Sequence, residues 1–202
     1  MLALGMERFD EGVALVFLDV GGRAPQVTET RRIPLEAGIT PSEQLPRAIE
    51  QIGPAHPDAI ATALEEGVVT HRILSLPFSD PSRLAATIPF EIESLVPFDL
   101  EDAVVAFTTL HRGEGAEVLT ALVPRDTLAT DLEALQAAGV DPAVVDVGAM
   151  ALAGLFEKSG QDLLVVEPRL GGAIALLREG RLRGLRVLGD ASGSDLLRDV
   201  RW

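Results

Sequence analysis

The 202-residue sequence contains no cysteine. That excludes disulfides, thiolate metal sites and a cysteine nucleophile, and it accords with a cytoplasmic setting. Basic residues are few: 17 Lys and Arg against 31 Asp and Glu leave a formal charge of -14. No Lys/Arg cluster interrupts that balance, and such a field repels a phosphate backbone, so no nucleic-acid partner is expected. The acidic surface is read as a device for solubility rather than for steering a partner. Long apolar runs are also missing. No stretch approaches the roughly 20 residues that cross a bilayer, and MLALGMERFDEG lacks the basic start of a signal peptide. This segment is therefore not expected to insert into a membrane; an anchor would lie in another chain or beyond Trp202.

Catalytic signatures are absent as well. His56, His71 and His111 are scattered, with no HExxH spacing, so no zinc site is expected. His71 reads as a solvated strand residue. Ser75 and Ser94 have no G-x-S-x-G turn around them. Glu91 and Glu93 lie two apart on a helix, so they face different sides and cannot work as a paired acid and base. The run GDASGSD at 189–195 reads as a loop with a helix cap rather than an anion seat.

Hydrophobic residues at 47% with charged residues at 24% describe a globular chain with a real core. The N-terminal third reads as strands at about 2–5, 13–20 and 26–35, with Gly21-Gly22 at the second turn. A helix follows over 41–52, capped by Thr40, with Leu45, Ile49 and Ile52 inward. A strand comes next at 59–64. Val68, Ile73, Leu74 and Leu76 predict a strand closed by Pro77. Asp80 caps a helix that accepts Pro81 in its first turn. Leu84, Ile88, Ile92 and Leu95 line its inner face, Pro89 is expected to kink it near Thr87, and Pro97 stops it. Strands near 103–110 and 116–123 complete a small sheet. Further on come a helix ended by Gly139, a short strand and a helix, then strands at 163–167, 173–178 and 182–188 and a helix start near Ser194. The segments LALGMERFDEGVALVFL and LLVVEPRLGGAIALLR can be laid over one another, which is the mark of a duplicated unit.

The motif R-x-L-x-L-P-F, followed by a helix bearing F-E-I-E-S-L-V-P-F, resembles the PilM family, the actin-like assembly proteins of type IV pili. It also resembles the cytoplasmic part of the type II secretion protein GspL. The likeness continues through VLTALVPRDTLATDLEALQAAGVDPAVVDVGAMALAGLF and rests on the order of elements. It implies an α/β, actin-like fold built from duplicated ribonuclease-H-like lobes, with a small inserted strand–helix–strand–strand subdomain. The expected division is a first lobe at 1–67, the insertion at 68–123, a return to the first lobe at 124–158, and a second lobe starting at 159–202 and cut short at Trp202.

Actin-like ATPases hold phosphates on two hairpin turns patterned Asp-x-Gly-Ser/Thr, where glycine lets backbone N–H groups approach the ligand. In the matching stretches of this sequence Glu7 and Glu167 stand for the Asp, and Phe9 and Arg169 for the Gly. Ala14 stands where PilM-like sequences carry Lys, and Pro168 removes one N–H donor. Glu7, Asp10 and Glu11 add like charge, each worth roughly 4 kcal/mol at about 4 Å near a surface. ATP binding is expected to be lost, so no cofactor is assigned.

The resemblance then implies a non-catalytic scaffold, cytoplasmic and tethered at the inner membrane, within a type II secretion or type IV pilus assembly platform. Its expected partner is the N-terminal domain of a secretion ATPase or a cytoplasmic peptide of a membrane component, met at Arg83, Glu91 and Glu93 or, as the alternative, on the main lobes around Arg31, Arg32 or the 178–186 hairpin. Homodimerisation is left open. The alternatives are an ATP-binding PilM-like protein that captures the N-terminal peptide of a membrane partner, and an enzyme of the actin and sugar-kinase superfamily.

Overall fold

The computed structural model describes residues 1–9, 12–34, 36, 38–39, 41–50, 57–64, 66–157, 159–167 and 172–188. The chain divides into two compact units, Met1–Leu64 with Leu128–Asp146, and Glu65–Thr127 with Val147–Trp202. The expected segment 124–158 is thus shared between them, and the expected insertion falls in the second.

The first unit is built on a five-stranded sheet. Its strands are β1 (Leu2–Phe9), β2 (Gly12–Asp19), β3 (Gln26–Pro34), β4 (Ala59–Leu64) and β8 (Val144–Val147), in the order β3-β2-β1-β4-β8. β1, β2 and β3 form an antiparallel meander, and β4 runs parallel to β1. Alternation puts Leu4 and Met6 of β1 and Val13, Leu15 and Phe17 of β2 on one face. Leu45 and Ala48 of α1 (Pro41–Glu50) and Leu135 of α3 (Arg125–Ala137) close that core.

β1 is longer than the sequence pattern predicts. It runs to Phe9 because its pairing with β2 continues through Glu7↔Ala14, Arg8↔Val13 and Phe9↔Gly12. The expected cap Thr40 and the expected last helical positions 51–52 lie outside the described residues, as do His56 and the segment 189–202. Gly139 ends α3 as expected. At φ +83 it occupies the left-handed region, while Val140 N–H donates to the Leu135 carbonyl and Gly139 N–H to Gln136, both at 2.9 Å. That is the Schellman arrangement, and it satisfies carbonyls the helix leaves open.

The second unit holds two three-stranded antiparallel sheets. One has the order β5-β7-β6, from β5 (Thr70–Leu76), β6 (Ala103–Arg112) and β7 (Ala116–Pro124). Against it lies α2 (Pro81–Glu93). The Asp80 carboxylate accepts from Arg83 N–H at 2.9 Å, and Pro81 enters the first turn, where its missing N–H has no cost. Leu84, Ile88 and Ile92 are buried against Leu74, Leu76, Val118 and Leu122.

Two sequence expectations fail here. Val68 belongs to a short 3-10 turn, Glu66–Val68, before the strand begins at Thr70. Leu95 is 45% exposed: α2 ends at Glu93 with Ser94 as C-cap, so the helical period that would turn Leu95 inward has already lapsed. Pro89 sits on the exposed side, and α2 continues through it.

The other sheet is the meander β9 (Leu163–Val166), β10 (Ala173–Arg178) and β11 (Arg181–Val187). Ala149 and Ala153 of α4 (Gly148–Gly154) pack with Ala173, Ala175 and Leu177, and Leu110 and Leu119 of the first sheet join the same core.

Candidate functional site

Glu7 and Phe9, read as part of a turn, lie in the last positions of β1. Between them Arg8 follows Leu4 and Met6 onto the core face, where a free guanidinium would be strongly penalised. It is accommodated by an ion pair with Asp131 of α3, the two side chains being 13% and 19% exposed. Phe9 lies 4.7 Å beneath the Arg32 guanidinium, a cation–π contact that ties β1 to β3. Gly12 opens β2 at φ +148, and a Cβ there would meet the Ile33 carbonyl oxygen at 2.0 Å. Glycine is required at this position by the close approach of β3, a demand that appears only once the strands are paired.

Residues 10 and 11, between β1 and β2, lie outside the described residues. A phosphate cradle needs backbone N–H groups bare of side chains; beside that turn Phe9 carries a ring, stacked under Arg32. In the second expected turn, Glu167 N–H donates to the Ala173 carbonyl at 2.9 Å, closing the strand end. Arg169 lies outside the described residues.

Arg83, Glu91 and Glu93 are all exposed on α2, but the structure does not gather them. Arg83 is about 12 Å up the helix from Glu91 at 1.5 Å per residue, and its guanidinium lies 3.9 Å from the centre of the Phe78 ring. Sequence reasoning missed Phe90, which is 77% exposed beside the two glutamates. The signal was present: Phe90 falls two residues past Ile88, off the inward register of Leu84, Ile88 and Ile92. His71 is half-buried with Nδ1 shielded from solvent, less solvated than its strand position suggested. Among the described residues no three His, Asp or Glu side chains gather as a metal-holding group, and no helix is long and apolar enough to cross a membrane.

The fold is similar to that of several solved structures. Against a chain of the PilM-PilN type IV pilus biogenesis complex the identity is 26% and the TM-score 0.76, over 98% of this chain and 64% of that one. Against the cytoplasmic domain of EpsL, an inner-membrane component of the type II secretion system of Vibrio cholerae, the identity is 19% and the TM-score 0.62, over 100% and 75%. A Bacteroides thetaiotaomicron protein of unknown function with an actin-like ATPase fold matches at 9% identity and a TM-score of 0.59, over 98% and 74%. The expected actin-like fold is therefore present. The chain spans 64% of the length of the pilus-complex chain. No family model matches it, and no curated protein sequence does.

Proposed function

We propose that this chain is a non-catalytic cytoplasmic scaffold in the inner-membrane assembly platform of a type II secretion or type IV pilus machine, joining the secretion ATPase to membrane components. One observation carries the reading. The fold follows an assembly-complex chain along 98% of the present chain, while Phe9 stands where the resemblance puts the glycine of a nucleotide-binding member. A domain that keeps such a fold without the phosphate chemistry retains its surfaces, and recognition is what those surfaces can do. The meanders β1–β3 and β9–β11 support the reading of two duplicated halves.

Within this reading α2 is the partner face. Phe90 supplies an apolar anchor and Glu91 and Glu93 a charged rim, the arrangement that concentrates binding energy in few residues. The test is co-purification with the N-terminal domain of a secretion ATPase from the same machine. Glu91→Lys with Glu93→Lys, and Phe90→Ala separately, are expected to abolish capture without lowering the melting temperature. Undiminished capture by both variants places the interface elsewhere.

A second reading has an observation in its favour: the likeness to the PilM-PilN complex, at a TM-score of 0.76, exceeds the likeness to EpsL at 0.62. On that reading the partner is a short cytoplasmic peptide of a membrane protein. Capture of such a peptide, with no affinity for the ATPase domain, would decide for it.

A further inference from the structure

A cleft of about 410 Å³ lies within the second unit, between Thr108–Arg112 of β6 and the turn that joins β10 to β11. β6 is an edge strand of its sheet, bonded on one side to β7 alone. Its pairing slips between Thr109 and His111, so Leu110 is the extra residue of a bulge. Bulges at a sheet edge re-aim side chains and interrupt pairing. Here Leu110 turns inward and, with Leu182 across the cleft, gives an apolar floor; both are 6% exposed.

The opposite wall is held firmly. Glu179 and Gly180 have φ of 51 and 67, the two left-handed positions of a tight hairpin turn. Glu179 N–H donates to the Asp162 carboxylate at 2.8 Å and Gly180 N–H to the Gln161 carbonyl at 2.8 Å. Little ordering is left for a ligand to impose on that wall.

The rim reverses the sign of the molecule. In a chain of charge -14, this cleft carries Arg112 and Arg181 against one carboxylate, Glu157. Arg8, Arg31, Arg47 and Arg178 pair with carboxylates, whereas Arg112 and Arg181, among the described residues, do not.

We propose that this cleft binds an acidic, extended peptide segment of a partner protein, which adds as a strand to the free edge of β6 and sets its carboxylates on Arg112 and Arg181. Main-chain bonds to the edge supply affinity, and the apolar floor and cationic rim select side chains of alternating character. The net negative field opposes an acidic ligand at long range, so binding here reports the local cations and not steering. This goes beyond the scaffold reading and does not depend on α2.

The test uses the purified chain and a short synthetic peptide alternating glutamate and valine, read by fluorescence anisotropy. Three results together are expected: the peptide binds, its lysine counterpart does not, and Arg112→Glu and Arg181→Glu each weaken binding by about tenfold or more. The same peptide N-methylated at alternate residues cannot donate to the edge, and it is expected not to bind. No binding at millimolar peptide, equal binding of the lysine peptide, or indifference to both reversals overturns the proposal. Full binding of the N-methylated peptide overturns strand addition. Self-association of the chain that the two reversals dissolve would make a second copy the occupant, and that too overturns it.

Discussion

Arg8 of β1 and Asp131 of α3 stand 123 residues apart in sequence and form an ion pair on the core face of the first unit's sheet. The pair joins the end of a strand to a helix at a point where the chain would otherwise present an unpaired, nearly buried cation. Removing one member leaves the other's charge stranded, which costs more than the pair itself contributes. Asp131→Ala is expected to lower stability by up to about 3 kcal/mol, read as a fall in urea midpoint with unchanged m-value. Arg8→Met with Asp131→Leu should recover most of that loss. Additive losses in the double variant would mean the two side chains do not act together.

Leu84 and Ile92 are each fully buried in α2, whereas Leu95, counted with them by periodicity, is 45% exposed. Truncation to Ala at either of the first two should cost about 2–5 kcal/mol. Leu95→Ala should stay within about 0.5 kcal/mol. Equal losses at all three positions in urea titrations would show that Leu95 is held by contacts it does not make here.

Mg-ATP is expected to leave the melting temperature unchanged at millimolar concentration. A ligand present at 100 times its dissociation constant would add about 2.7 kcal/mol of apparent stability, a shift no thermal scan would miss. An upward shift would restore the ATP-binding alternative in spite of Phe9.

Asp162 accepts from the Arg178 guanidinium at 2.6 Å and from Glu179 N–H, and these bonds hold its carboxyl below its ordinary value, Arg178 being the larger cause. A carboxyl lowered in the folded state stabilises the fold above its unfolded value and loses that contribution as pH falls through the folded one. Arg178→Gln is therefore expected to move the Asp162 titration, followed by NMR, upward toward the ordinary carboxylate range. Because the pair is exposed, global stability at neutral pH should barely change. A midpoint that does not move would assign the shift to the Glu179 N–H instead.

Local chemistry was enough to place most elements. Asp80 with Pro81 starts α2, Gly139 ends α3, and the alternation in β5 and the period of Leu84, Ile88 and Ile92 mark which sides face inward, because caps and periodicity depend on neighbours a few residues away. The order of elements was likewise enough to point to an actin-like fold. What the sequence could not decide were consequences of strand pairing and of contacts between distant segments. β1 runs to Phe9 because β2 pairs with it that far, which turns Arg8 inward toward Asp131. Gly12 is required because β3 passes 2.0 Å from where its Cβ would be. The β6 edge meets Arg181 only because the small sheet and the C-terminal meander share one core, through Leu110, Leu119 and Ala175. Those relationships join residues far apart along the chain, and no local pattern encodes which of them will meet.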